Sequence, residues 1–279
     1  MKRARNVDES VVSGFGDEWR RFDQTPVLAQ TELRELFDAY FHIFPWEALP
    51  GDAVGLDVGC GSGRWARFVA PRVARLLCID ASSEAADVAR KNLSEYPNAE
   101  VHVATVDDLP VGDESVDFVY SLGVLHHVPD TAAGLRSCAA KLKRGGPMLV
   151  YLYYAFDNRP MWFRLVWHLS NPLRFFISRT PHVLRYFLSQ LLAGLVYWPL
   201  ARFGRLLERL GMNVEHMPLS YYRKRSFYVM RTDVLDRFGT RLEQRFTRKQ
   251  IETMMREAGL DGIRFSETAP FWCAVGFKR

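Results

Sequence analysis

Short apolar runs alternate with amphipathic stretches along most of the chain. The apolar runs predict seven strands: Val54–Val58, Arg75–Ile79, Glu100–Val103, Val116–Ser121, Met148–Tyr154, Ile263–Glu267 and Phe271–Phe277. The amphipathic stretches predict helices at Arg64–Val73, Ser83–Leu93 and Thr131–Leu142, and another that opens on a Thr247/Gln250 capping box and ends at Gly259. Strands that alternate with helices form right-handed crossovers, so we expect a doubly wound α/β fold with a mostly parallel, seven-stranded sheet.

Two regions depart from this alternation. Helical spacing in residues 20–44, closed by prolines, predicts an N-terminal helical region over residues 1–50. After residue 155 the strands stop, and the layered pattern returns near residue 231. We therefore predict one Rossmann-like domain from residues 51–155 and 231–279, interrupted by a helical insertion at 156–230.

Charge is distributed unevenly along the 279 residues. The chain carries a net charge of +5, but residues 158–225 contain eleven basic and two acidic residues, which leaves −4 for the remainder. Aromatic residues are interleaved with these arginines. At 48% hydrophobic residues the chain is typical of a globular protein, which excludes a disordered or collagen-like one. Four separated cysteines do not suit a disulfide scaffold, and we expect a cytoplasmic protein with no export signal and no spanning segment.

A glycine loop and two acids suggest a nucleotide-like ligand. The sequence LDVGCGSG, residues 56–63, runs from a predicted strand through closely spaced glycines into a helix, which allows close backbone approach to a ligand. Its spacing differs from the dinucleotide fingerprint. Asp80 ends the next strand, where a carboxylate can accept hydrogen bonds from ribose hydroxyls.

Four motifs in order resemble the class I S-adenosylmethionine-dependent methyltransferases of the small-molecule type: LDVGCGSG, LCID, DDLP with DESVDFVYS, and GVLHHVPD with LKRGG. The resemblance covers at least residues 51–155. It implies S-adenosylmethionine as cofactor, an antiparallel last strand, and a lid element in the segment FGDEW at residues 15–19, whose aromatic ring closes over the cofactor.

The resemblance also implies a set of cofactor-binding residues. Those around the methionine part are Asp57, Gly59, Cys60, Gly61 and Gly63. Asp80 holds the ribose, with Ala81 and Ser82 beside the adenine. Thr105, Val106 and Asp107 are alternatives for the partner of the adenine amino group, and Ser121 and Leu122 complete the set at the end of the fourth strand.

Methyl transfer is an in-line displacement, which requires no metal, and an oxygen or carbon acceptor must lose a proton. His126 and His127 follow the fourth strand and are candidates for the general base, although a structural or cofactor-shell role is the favoured alternative. We predict methyl transfer to a small or lipid-like acceptor. The alternatives are an RNA methyltransferase, a nicotinamide-dependent oxidoreductase, or a protein that binds the cofactor without turnover.

The basic insertion has three interpretations. It forms a lid over the acceptor site, or it also contacts anionic membrane through residues 158–225, or it binds nucleic acid. Nucleic acid is the least favoured, because the fourth strand end lacks the motifs of base methyltransferases. The oligomeric state stays open.

Overall fold

The computed structural model describes residues 6–22, 30–214 and 217–279, which form two compact units. The first contains the chain up to Ala155 together with Leu242–Arg279, and the second is Phe156–Arg241. The predicted insertion starts where the second unit starts. Its predicted end at residue 230 falls inside the helix Phe227–Gly239, so the second unit continues further than the hydrophobic pattern indicated.

The first unit is built on a seven-stranded sheet. Its strands are β1 Val54–Val58, β2 Arg75–Asp80, β3 Ala99–Val103, β4 Phe118–Leu122, β5 Pro147–Tyr151, β6 Leu260–Phe265 and β7 Cys273–Lys278. They lie in the order β3-β2-β1-β4-β5-β7-β6. Strands β1 to β5 pair in parallel, whereas β7 runs antiparallel to both β5 and β6. The doubly wound α/β prediction and its antiparallel last strand are confirmed.

Helices flank the sheet and make up the second unit. In the described residues the α-helices are α1 Glu9–Arg21, α2 Gln30–Phe41, α3 Ala66–Val69, α4 Ser83–Asn92, α5 Thr131–Lys141, α6 Met161–Ile177, α7 His182–Leu192, α8 Trp198–Arg209, α9 Phe227–Gly239 and α10 Arg248–Glu257. Helix α3 is much shorter than the predicted Arg64–Val73. Pro71 follows it without a backbone N–H, and a 3-10 turn at Ala70–Arg72 replaces the expected last turns.

Side-chain caps fix where the helices of the first unit begin. The Asp8 carboxylate accepts the N–H groups of Ser10 and Val11 at the start of α1. Ser82 caps α4 in the same way. The predicted capping box of α10 is confirmed, because Thr247 and Gln250 each bind the other's backbone N–H. Polar residues at these positions satisfy N–H groups that a helix leaves without partners.

Two strands have different bounds in the structure from those predicted. Strand β5 stops at Tyr151 instead of the predicted Tyr154, which forms only an isolated bridge with Phe246. Strand β4 begins at Phe118 and not at Val116, which makes its own bridge to Leu142. The core strands are apolar on both faces, and Gly55 lets the Phe118 ring lie directly against the β1 backbone.

The second unit has a small core of its own, made by Ile177, Tyr197, Met230, Val234 and Phe238 with two alanines. A π-helical turn at Ala193–Tyr197 joins α7 to α8. None of the helices in the described segments is both long enough and apolar enough to cross a bilayer.

Candidate active site

Three glycines shape the turn after β1. Gly59, Gly61 and Gly63 have φ angles of 82°, 54° and 76°, in the left-handed region that favours glycine. A Cβ atom on Gly59 would lie 2.3 Å from the Val124 side chain, so a larger residue does not fit there. The N–H groups of Gly59 and Cys60 donate to the Ile79 carbonyl at 2.7 and 2.9 Å, which ties the turn to β2. The turn is therefore held in a fixed conformation at the carboxyl end of β1.

Two carboxyl groups lie beside the glycine turn, that of Asp57 buried and that of Asp80 half-buried. Asp57 in β1 accepts a hydrogen bond from the Tyr120 hydroxyl at 2.8 Å. Asp80 ends β2, and its two oxygens accept the backbone N–H groups of Gly61 at 2.8 Å and Ser82 at 2.9 Å. Asp80 therefore anchors the turn itself, a role that the strand pattern did not reveal.

Burial shifts the acidity of both groups. Burial is the main reason why the pKa of Asp57 is raised to about 8, and the nearby charge of Asp80 acts in the same direction. The hydrogen bond from Tyr120 lowers this pKa. Burial also raises the pKa of Asp80, although the N–H groups of Ser82, Gly61 and Ala81 act in the opposite direction. Because an approaching cation favours the ionised form of a carboxyl group, this pair is suited to a positively charged ligand. Burial raises the pKa of the Cys60 thiol as well, so Cys60 is an uncharged residue of the glycine turn.

Helix α1 packs against the glycine turn. The Trp19 ring lies so close to Gly61 that a Cβ atom there would be 2.9 Å from it. The Arg64 guanidinium lies 5.2 Å from the Trp19 ring centre and 4.5 Å from that of Trp65. One turn earlier, Gly16 contacts the Ser82 side chain at the start of α4. The aromatic residue of the predicted lid segment, residues 15–19, thus lies beside the candidate cofactor turn.

The candidates for the adenine side have defined neighbours. Val106 is buried in the core beneath the sheet, and its carbonyl accepts the Ser137 hydroxyl. The Asp107 carboxylate accepts the backbone N–H of Asn6 at 3.2 Å. The Thr105 carbonyl closes a turn with the N–H of Asp108. The Val106 side chain is used in packing, but the candidate group of Val106 is its backbone, so all three residues stay candidates.

Residues at the end of β4 are more structural than we expected. The Ser121 hydroxyl donates to the Val58 carbonyl at 2.8 Å, which links the ends of β4 and β1. Leu122 is buried beside it. Both lie at the carboxyl edge of the sheet where the sequence placed them, but Ser121 uses its proton within the protein.

The two histidines occupy different environments. Both lie in a 3-10 turn at Leu125–His127, and both are buried. The His127 Nδ1 atom lies 2.7 Å from the Leu242 carbonyl, so this nitrogen carries a proton that it donates. In the neutral ring the lone pair is then on Nε2. His126 instead stacks on the Tyr153 ring, with ring centres 3.9 Å apart.

Aromatic rings surround these histidines. The Phe15 ring of α1 lies 5.0 Å from that of His127, and the Tyr151 ring lies 5.9 Å from that of Tyr153. Arg245 approaches the Tyr153 ring at 5.0 Å and forms a 2.7 Å ion pair with Glu243, whose side chain is buried. We call the group of His126, His127, Tyr151, Tyr153 and Phe15 the aromatic wall.

Several of these residues were missing from the sequence prediction. Tyr120 was visible as one of two hydroxyl-bearing residues, with Ser121, in a largely apolar strand, a signal that points to a buried hydrogen bond. The contacts of Leu242, Asn6 and Phe15 had no such signal. They join positions more than a hundred residues apart without any periodicity.

The glycine turn and both carboxyl groups meet the requirements of a nucleoside with a positively charged group. Left-handed glycines without side chains allow close approach, Asp80 can share its remaining lone pairs with ribose hydroxyls, and Asp57 offers negative charge once ionised. The residues present therefore fit S-adenosylmethionine.

Comparisons with known proteins agree with this geometry. Residues 56–150 match the methyltransferase domain family. The ubiquinone biosynthesis O-methyltransferase of Xanthomonas campestris pv. campestris is 39% identical over 105 residues, 37% of this chain and 44% of that protein. A probable S-adenosylmethionine-dependent methyltransferase of Mycobacterium tuberculosis is 35% identical over 95 residues, 34% of each chain. The chain thus spans less than half the length of these curated relatives.

A solved structure extends the likeness in fold. A chain from a Haloferax volcanii complex between a methyltransferase activator and a methyltransferase aligns with a TM-score of 0.51 at 16% identity, over 94% of this chain and 96% of that chain. At this identity the likeness shows the fold alone. The matched domain over residues 56–150 and the similarity to these relatives support a class I S-adenosylmethionine-dependent methyltransferase, with S-adenosylmethionine as cofactor.

Proposed function

We propose that this protein transfers a methyl group from S-adenosylmethionine to an oxygen or carbon nucleophile of a small or lipid-like acceptor. The observation that carries the proposal is the pair of carboxyl groups, the buried Asp57 and the half-buried Asp80, beside the left-handed glycine turn. When bound, the cofactor supplies a methyl group activated on a sulfonium. The contribution of the protein is then to hold two reactants in line and to exclude water.

An oxygen acceptor has the stronger support. The Xanthomonas relative is named as an O-methyltransferase of ubiquinone biosynthesis, and by likeness we extend that acceptor class, a hydroxyl group on an apolar molecule, to this chain. The aromatic wall supports the same choice, because stacked and tilted rings favour a planar aromatic partner.

His127 is the general base in this proposal. Its Nδ1–H is held by the Leu242 carbonyl, so the neutral ring accepts the acceptor's proton at Nε2. This hydrogen bond fixes both the tautomer and the orientation of the ring, as a positioned base requires. His126, which stacks on Tyr153, is a positioning residue for the acceptor.

The nicotinamide alternative loses its support, since the matched family uses S-adenosylmethionine. A protein that binds the cofactor without turnover remains the alternative that activity must exclude.

The test is the formation of S-adenosylhomocysteine from hydroxylated aromatic acceptors, with and without an isoprenoid tail. We expect His127→Gln to lower kcat by about 10² to 10⁴ fold, because a positioned general base contributes about that much. Binding of S-adenosylmethionine, measured by calorimetry, stays unchanged in this variant. His102→Gln is the matched control, since His102 is a partly exposed histidine on β3.

Two results would contradict the proposal in distinguishable ways. Full activity of His127→Gln would show that His127 is not the general base, and the proposal of methyl transfer would still stand. An absence of S-adenosylhomocysteine with every acceptor, while the cofactor still binds, would instead favour binding without turnover.

A further inference from the structure

The second unit exposes an unusual amount of apolar surface. On α6 the residues Met161, Leu165, Leu169, Leu173 and Phe176 recur at three and four positions, which places them along one side of the helix. All of them are exposed, and Met161, Leu169 and Phe176 retain 79%, 71% and 69% of their accessible surface. This helix therefore presents an apolar stripe to its surroundings.

A second stripe follows α7 and α8. Val183, Phe187 and Leu191 are spaced by four on α7, and Phe203 and Leu206 are spaced by three on α8. All five are exposed. We call the two stripes together the outer apolar face.

Packing within the second unit does not account for the outer apolar face. The core of this unit is filled by other residues of the same helices, such as Ile177 and Tyr197, against Met230 and Val234 of α9. Monomeric proteins seldom leave contiguous apolar patches of more than a few hundred Å² exposed, and larger ones mark interaction surfaces. We therefore expect the outer apolar face to bind a partner.

The charge on this segment identifies the partner's chemistry. Residues 158–207 contain seven arginines and neither aspartate nor glutamate. The Arg179 guanidinium lies 3.5 Å from the centre of the exposed Phe175 ring, and that of Arg202 lies 4.1 Å from the Trp198 ring. Cationic groups next to exposed rings and aliphatic chains match an interface in which anionic phosphates border hydrocarbon.

Other partners fit this combination less well. A nucleic acid would use the arginines but would leave the leucine and valine side chains in water. A second copy of the chain would bury the apolar residues but would bring the two sets of arginines together.

We propose that the outer apolar face docks on an anionic lipid bilayer, with its apolar side chains at the acyl boundary and its arginines on the headgroup phosphates. This inference rests on the second unit alone and is independent of the methyl transfer proposed above. It concerns a helical surface that lies on the membrane, in keeping with the lack of a spanning helix in the described residues.

Vesicle flotation of the full chain, without cofactor, tests the proposal. We expect flotation with vesicles that contain phosphatidylglycerol and much less with pure phosphatidylcholine. The double variant Leu169→Glu/Phe176→Glu is expected to lower partitioning by at least about tenfold, because two exposed apolar side chains no longer enter the acyl boundary. Val103→Glu is the matched control, since Val103 is an apolar residue of the first unit with 49% of its surface exposed.

A second variant tests the charge. Arg164→Gln/Arg205→Gln/Arg209→Gln keeps the apolar stripes, and we expect it to lose the preference for phosphatidylglycerol. We expect circular dichroism to show the same helix content in each variant as in the wild type.

Three outcomes would overturn the proposal. The first is an absence of flotation with anionic vesicles, and the second is equal flotation of Leu169→Glu/Phe176→Glu and Val103→Glu. The third is a loss of self-association, seen by sedimentation, in Leu169→Glu/Phe176→Glu without any change in flotation, which would make the face an interface between copies.

Discussion

Asp57 and Asp80 differ in how the protein holds them. Asp80 receives backbone N–H groups from the glycine turn and from the start of α4, whereas Asp57 has the Tyr120 hydroxyl. Backbone donors stabilise a carboxylate strongly, and a single hydroxyl does so less. Asp57 is accordingly the residue whose proton is most sensitive to what occupies the turn.

This difference leads to a prediction about pH. With a pKa near 3.8 in the unfolded chain and about 8 in the folded one, Asp57 binds a proton in the folded state that the unfolded state has lost. Its contribution to stability is therefore complete below about pH 4 and is lost as the pH rises through about 8. Over that range we expect the wild type to lose up to about 1.4 kcal/mol per pH unit relative to Asp57→Asn, which cannot ionise.

Urea unfolding of the protein without cofactor, followed from pH 5 to 9 by circular dichroism, measures this difference. Asp87→Asn is the control, because Asp87 is an exposed residue of α4. A gap between wild type and Asp57→Asn that stays constant over the whole pH range would contradict the prediction.

Helix α1 is the element that most directly shapes the candidate cofactor turn. Its Trp19 ring lies against Gly61, so α1 leaves no room for a side chain at this position of the turn. The helix is anchored at its start by the Asp8 cap, and the segment before it is tied to the first unit by Asn6, which exchanges two hydrogen bonds with the Asp130 backbone.

A double-mutant cycle tests that restriction. Gly61→Ala has two costs, a left-handed φ and a clash with Trp19, and Trp19→Ala removes the second. We expect Gly61→Ala to be less destabilising in the Trp19→Ala background by about 1 to 3 kcal/mol, measured by urea unfolding. Gly123→Ala is the control, because Gly123 also has a left-handed φ but has open space around it. Equal costs in both backgrounds would show that Trp19 does not press on the turn.

Strands and helices were predictable from the sequence wherever apolar residues recur at the regular spacing of a strand or a helix. The seven strands and the α10 capping box followed from apolar runs and from a local polar pair. The length of α3 did not, because a proline within an otherwise helical pattern decides it. The contact between His127 and Leu242 was also hidden, since a side chain that binds a distant carbonyl leaves no mark on local hydrophobicity.

At the scale of the whole molecule, the second unit leaves and re-enters the first at neighbouring positions. Tyr154 bridges to Phe246, and the Ala155 N–H donates to the Phe246 carbonyl at 2.9 Å. The sheet, the glycine turn and both histidines belong to the first unit. A short linker can therefore close the gap, since loop closure costs little when the two ends are already adjacent.

Replacing residues 156–241 by a short Gly/Ser linker tests this division. We expect a folded protein that binds S-adenosylmethionine with the affinity of the full chain, measured by calorimetry, but that no longer floats with anionic vesicles. Asp80→Ala in the shortened protein serves as the control for specific binding, with an expected loss of about 1.5 to 3 kcal/mol for hydrogen bonds to a charged group. An insoluble or unfolded product would show that the first unit depends on the second.

The bridge between Tyr154 and Phe246 also matters for how such a protein can change over time. Because the chain segments that flank the second unit are joined to each other by this bridge, the second unit can be lengthened, shortened or exchanged during evolution. The first unit, with its sheet and glycine turn, would be inherited unchanged.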